Sequence, residues 1–185
     1  MGFLDFRFTK RFNPSQKRMW NVIVFMARLL LLSAPLYILL SFSGFLFPAQ
    51  ILVASQLAWI LHAMGYTASQ YTAMVTVSDP VSGWIFTFWI DADCTAWKSM
   101  LFAFALVLAV PRVKISKRLY GLAIAIPVIW TGNLVRITWS LLIEQSYGLE
   151  TAKFFHDVLW QFGLIGLVLA VWLLWLRWAL PRKKH

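Results

Sequence analysis

The chain has 185 residues, of which 61% are hydrophobic and 13% charged, with a mean hydropathy of +0.71, a balance that excludes an ordinary soluble domain and accommodates several membrane spans. The net charge of +10 does not mark a nucleic-acid binder, because the cations sit beside apolar runs, where they set membrane orientation. The single cysteine excludes an intramolecular disulfide and a cysteine-rich metal site, and His62, His156 and His185 lack zinc-type spacing, so no metal and no cofactor is expected.

Residues 1–18 interleave Phe3, Phe6, Phe8 and Phe12 with Arg7, Lys10, Arg11, Lys17 and Arg18. The pattern is that of a cytoplasmic interfacial arm, rings toward the acyl chains and cations toward anionic headgroups; a positive tail that orders only on lipid is the alternative. Residues 19–43 form the first expected span, an uncleaved anchor with Pro35 inside it and Arg28 placed to snorkel toward the inner face. Residues 48–64 open on Pro48 and carry Gln50, Ser55, Gln56 and His62. At the lower limit of spanning length, they read as a helix on or dipping into the outer face.

The pattern then changes. Tyr71 to Val77 is rich in β-favouring residues, Asp79-Pro80 and Gly83 supply turn chemistry, and Trp84 to Ile90 is a second extended run. A β-hairpin over 71–93 is expected outside the hydrocarbon, since an open strand edge cannot face lipid tails. Residues 95–110 form a short span of about 24 Å, so the preceding Cys94 sits slightly below the outer headgroups. Residues 119–143 and 152–180 are the remaining spans, with Asn133 and Arg136 in the former and His156 and Asp157 near the start of the latter. The expected fold is an all-α integral membrane bundle, one domain of four spans plus the outer-face helix and the hairpin.

Charge fixes its orientation. All of the 17 cations except Arg28, Lys98, Arg136 and Lys153 fall in the arm, the 112–118 loop and the segment from Arg177 to the end, while every acid except Asp5 falls in the other set of loops and helix ends. The positive-inside rule then places both termini in the cytoplasm of a cell-membrane protein.

This orientation brings Cys94, Arg136 and His156, on three separate elements, to one level at the outer face. A charged side chain within a span is costly and marks a functional position. Arg136 also has a plain structural reading, as the partner of Asp157, Glu144 or Asp91 or of a lipid phosphate, and His156 has one as an interfacial histidine. Asn133, three residues before Arg136, is placed to orient it or to bond a neighbouring helix. Asp91, Asp93 and Asp157 suit capping and pairing. A thiol at the mouth of a helix is expected to favour the thiolate. Together the groups permit acyl transfer: Cys94 attacks a peptide carbonyl, Arg136 steadies the oxyanion or anchors the substrate backbone, and His156 handles the proton.

At Asp-Cys-Thr-Ala-Trp-Lys-Ser (93–99), Gly-Asn-Leu-Val-Arg-Ile (132–137) and Phe-Phe-His-Asp (154–157) the chain resembles the exosortase/archaeosortase family, and leans to its archaeal-type branch. The resemblance implies a sortase-like cysteine peptidase or transpeptidase with Cys94, Arg136 and His156 as the catalytic set. Its partners would be secreted surface proteins with a C-terminal tripartite sorting signal, and a lipid or other surface acceptor. The family often carries glycine two places after the cysteine, where this chain has Ala96. The alternative is a non-enzymatic membrane scaffold whose Arg136 and His156 bind lipid phosphate.

Overall fold

The computed structural model describes residues 13–42, 44–111 and 113–180; the side chains of residues 39–41, 149, 153 and 156–161 are outside that description. Most of the basic arm, Arg112 and the basic tail therefore lie outside the described residues.

Among the described residues there are six α-helices and a small sheet: α1 (Pro14–Ser41), α2 (Phe47–Ala63), α3 (Trp97–Ala109), α4 (Ile115–Tyr147), α5 (Leu149–Val158) and α6 (Ile165–Ala179), with strands β1 (Thr67–Tyr71), β2 (Met74–Ser78) and β3 (Ile85–Trp89) between α2 and α3. Among the described residues three helical stretches are long and apolar enough to cross a membrane: Pro14–Ile38, Ile115–Tyr147 and Phe162–Ala179. The expected short span over 95–110 contracts to the 13 residues of α3, about 20 Å, against a hydrocarbon core of about 30 Å. The last stretch is not one helix: a π-helical segment, Leu159–Leu164, joins α5 to α6. Helix α1 leaves Leu30 and Leu31 65% and 74% exposed, which a protein in water does not tolerate along a whole helix and lipid does.

The extended segment is a three-stranded antiparallel sheet ordered β1-β2-β3, not a two-stranded hairpin. The run from Tyr71 to Val77 is broken at Thr72-Ala73, a two-residue loop closed by the pair Tyr71↔Met74. Thr72 adopts φ +53°, unusual for a β-branched residue, and its carbonyl accepts a hydrogen bond from the Gln70 side chain at 2.7 Å. Propensity alone reads straight through this turn, because neither residue is a habitual turn former.

Three apolar clusters stack along the molecule. Val53, Leu57 and Leu61 of α2 pack with Val75, Val77, Ile90 and Ile137, fixing the sheet between α2 and the C-terminal half of α4. Ala96, Leu106, Ile129 and Val168 knit α3, α4 and α6. Val107, Leu122 and Trp175 close the far end. There Arg118 donates to the Val110 carbonyl at 2.8 Å and Lys117 to the Ala179 carbonyl at 3.0 Å, so cations at the start of α4 satisfy the open carbonyls ending α3 and α6. At the sheet end Asp79 accepts from Ser82 at 2.6 Å and from Gln145 at 2.9 Å, and Tyr66 donates to Gln145 at 2.7 Å. This chain of bonds pins the β2–β3 turn to the last turns of α4.

Candidate active site

Cys94 lies in a 3₁₀ turn, Ala92–Thr95, between β3 and α3. The Asp91 carboxylate caps the turn by accepting from the Ala92 amide at 2.6 Å, the Cys94 amide donates to the Asp91 carbonyl at 3.0 Å, and Thr95 donates to the Ala92 carbonyl at 2.7 Å. Ala96 leaves the turn in the left-handed conformation, φ +55° and ψ +17°, fully buried, and starts α3. The turn sits where the sheet cluster meets the helix-bundle cluster: Cys94 packs on the first and Ala96 belongs to the second.

From α4 two polar side chains reach this turn. Asn133, fully buried, donates from Nδ2 to the Cys94 carbonyl at 2.6 Å and accepts on Oδ1 from Arg136, at 3.0 Å from a terminal guanidinium nitrogen and 3.3 Å from Nε. Their spacing of three puts them on one helix face. Arg136, only 5% exposed, lies close enough to Cys94 for the guanidinium charge to act on the thiol. Ser140, one turn further, donates to the Arg136 carbonyl at 2.9 Å. The structure thus brings Cys94, Asn133 and Arg136 into one connected unit.

A cavity of about 180 Å³ opens onto Cys94. Phe86, Phe88 and Trp89 form one wall, Ile137, Ser140 and Glu144 the other, and Ala152 of α5 closes an end. His156 and Asp157 are in α5, with residue 156 one helical turn beyond Ala152; both side chains lie outside the described residues. Asp93 turns away from the cavity and pairs with Lys98 at 2.7 Å. With Asp91 it borders a second cavity, of about 460 Å³, between the turn and helices α1 and α2.

The thiol does not have the electrostatics expected of a helix mouth. Burial pushes the Cys94 thiol up from its ordinary value, and the charges of Asp91 and Asp93 push the same way; a backbone hydrogen bond at Asp91 and the Arg136 charge pull down but do not prevail. Thr95 and the left-handed cap residue Ala96 separate Cys94 from α3, and desolvation is the largest influence on the thiol. Burial therefore works against the thiolate in the resting site.

Two contributors escaped the sequence reading. Ser140 follows Arg136 by four residues, a spacing that already places it on the same face. The stacked row Trp84, Phe86, Phe88, with centroids 5.6 and 5.9 Å apart, is visible in the sequence only as strand alternation; that its inner face forms a wall beside the cysteine depends on the packing against α4.

No curated protein and no solved structure matches the chain. A family model described as transmembrane exosortase matches residues 15–159, a segment that holds the cysteine turn, the Asn133–Arg136 pair and the whole of α5. The chain belongs to the transmembrane exosortase family.

Proposed function

We propose that the protein is a membrane cysteine transpeptidase that cleaves the C-terminal sorting signal of secreted surface proteins and passes the new C-terminus to a lipid or other surface acceptor. Family membership supplies the general class, a transmembrane enzyme of protein sorting. The observation that carries the chemical reading is the buried guanidinium of Arg136, held by Asn133, which also holds the Cys94 carbonyl, so that one side chain sets the cation beside the cysteine turn.

In this reading His156 takes the proton from Cys94 and the thiolate adds to the scissile carbonyl. Arg136 donates to the developing oxyanion, a service typically worth about 10²–10³ in rate. The C–N bond breaks, the leaving amine takes the proton back from His156, and a thioester remains on Cys94. An acceptor nucleophile then attacks the thioester, loses its proton to His156 and restores the thiol. A thiol raised by burial calls for a base. The apolar cavity walls disfavour water as the competing nucleophile, which favours transfer over hydrolysis.

The topology belongs to the same proposal. Four spans, α3 being a short one with the cysteine turn at its outer end, put both termini in the cytoplasm and the sheet outside, in keeping with the cation distribution. The site then opens at the extracytoplasmic face, where the cleavage motif of a substrate anchored by its own helix and basic tail arrives.

Two measurements test this together. Cys94→Ala abolishes processing of a co-expressed surface protein bearing a tripartite signal. In whole cells a membrane-impermeant thiol reagent blocks processing by the wild-type enzyme. Normal processing by Cys94→Ala refutes the nucleophile; processing untouched by the reagent, with Cys94 unlabelled, refutes the outward placement.

A further inference from the structure

The third strand is an edge, and its position matters more than its length. Among the described residues β3 pairs only with β2. The register Met74↔Trp89 to Ser78↔Ile85 extends at both ends: the Asp79 amide donates to the Trp84 carbonyl and the Ile90 amide to the Ala73 carbonyl, both at 2.8 Å. Hydrogen-bonding pairs alternate along an antiparallel ladder. Residues 84, 86, 88 and 90 therefore turn their amides and carbonyls toward β2, and residues 85, 87 and 89 turn theirs out of the sheet. Three consecutive outward donor and acceptor sets are a template for another strand.

Natural proteins blunt such an edge with charge, proline or a bulge. This one has none of these: its sequence is Ile85-Phe86-Thr87-Phe88-Trp89. It also leads directly to the nucleophile. Four residues separate Trp89 from Cys94, and Phe86, Phe88 and Trp89 line the cavity onto which Cys94 opens. Across the cavity stand Ile137 and Leu141 of α4. A chain laid against the outer edge of β3 would project every second side chain over the aromatic row and bring its end to the sulfur.

We infer that the sorting signal is bound as a fourth antiparallel or parallel strand on the free edge of β3, its backbone paired with residues 85, 87 and 89, and its alternate side chains read by the cavity. The inference rests on the transpeptidase reading and adds the form in which the substrate is held. At about 3.3 Å per residue, the edge accommodates an extended segment of about five residues ahead of the cleaved bond. Main-chain bonds supply affinity whatever the sequence, and the cavity of about 180 Å³ selects for an apolar side chain at the position nearest Cys94.

The test uses the full-length enzyme in membranes with a co-expressed secreted protein ending in the tripartite signal. Thr87→Pro removes one outward amide without touching the β2 ladder, a place where proline is tolerated. It also breaks the 2.9 Å bond between the Thr76 and Thr87 hydroxyls, which Thr76→Val breaks without altering the edge. Strand addition predicts that Thr87→Pro lowers processing at least tenfold, that Thr76→Val processes normally, and that Cys94 in both reacts with a small maleimide within twofold of wild type. Processing by Thr87→Pro at the wild-type rate overturns strand addition while leaving the nucleophile in place; normal processing by Cys94→Ala overturns both. Should Thr87→Pro fail to accumulate, the double variant Thr87→Cys, Cys94→Ala carries a single cysteine on the edge. Cysteines placed singly along the uncleaved signal then form disulfides with it at every second position. A spacing of three or four, or no crosslink, overturns the inference.

Discussion

Asn133→Ala is the most informative single change to the site, because Asn133 touches both reacting partners without being asked to react. Its amide nitrogen holds the Cys94 carbonyl at 2.6 Å and its oxygen holds the Arg136 guanidinium at 3.0 and 3.3 Å, all with Asn133 fully buried. A neutral bond of this kind contributes about 0.5–1.5 kcal/mol and one to a charged group about 1.5–3 kcal/mol, so truncation costs ~2–4 kcal/mol in total. Part of the loss is local. If about 1 kcal/mol of it falls on the 92–95 turn, transient opening of that turn rises about fivefold. The sole cysteine reports on this without added probes: in detergent, thermal unfolding gives the global loss and the maleimide labelling rate of native Cys94 gives the local one. Transpeptidation falls with both, since the oxyanion donor and the nucleophile lose their common strut. Stability within 0.5 kcal/mol of wild type, estimated as the usual scatter of silent surface changes, together with unchanged labelling, would refute the idea that Asn133 holds the site together.

Three further predictions follow from the same geometry. Arg136→Lys keeps the charge but loses the fork that bonds Asn133; processing should fall by about 10² or more, and full activity would remove Arg136 from the chemistry. Because burial raises the Cys94 thiol, its alkylation rate should climb with pH through an inflection above that of a free cysteine. Asp93→Asn removes an opposing charge and moves that inflection down, while Arg136→Gln moves it up. The same raised thiol stabilises the fold below the unfolded cysteine value, about 8.5, and that contribution is lost as pH rises through the folded value; an unfolding titration in detergent reads it. Ala96→Gly relieves a left-handed residue of about 1–2 kcal/mol of backbone strain and forfeits about 0.8 kcal/mol of buried methyl, so it should be tolerated within about 1 kcal/mol. Ala96→Val, branched in a fully buried position at φ +55°, should fail to accumulate in the membrane.

The glycine that often stands in the family where this chain has Ala96 now has a physical basis. The position ends the cysteine turn with positive φ, the conformation that favours glycine. The sequence shows the substitution but not the torsion that gives it meaning. The meeting of Cys94 with Arg136 was legible because both depend on depth: a residue count along an apolar helix and a charge rule are enough to estimate a level in the membrane. The role of Asn133 was half legible. Spacing of three puts it beside Arg136, whereas its bond to the Cys94 backbone depends on how α4 leans on the turn. The extra strand was missed because Thr72-Ala73 carries no turn signature, and the π-helical join at Leu159–Leu164 because nothing in an unbroken apolar run marks a change in helical hydrogen bonding. The upward shift of the thiol was missed for an electrostatic reason. A helix terminus is visible in a sequence, but the desolvation that raises the thiol exists only after α2, the sheet and α4 have closed around the turn.

The central claim is that Cys94 carries the substrate as a thioester, and one measurement addresses it. Enzyme in membranes is incubated with a tripartite-signal protein, quenched in acid, digested and examined by mass spectrometry. The predicted result is the substrate segment just upstream of the cleaved bond, joined by its new C-terminal carbonyl to the peptide containing Cys94, released by neutral hydroxylamine and absent from Cys94→Ala. Processed product in the Cys94→Ala sample, or wild-type turnover with Cys94 never modified during the reaction, would contradict it.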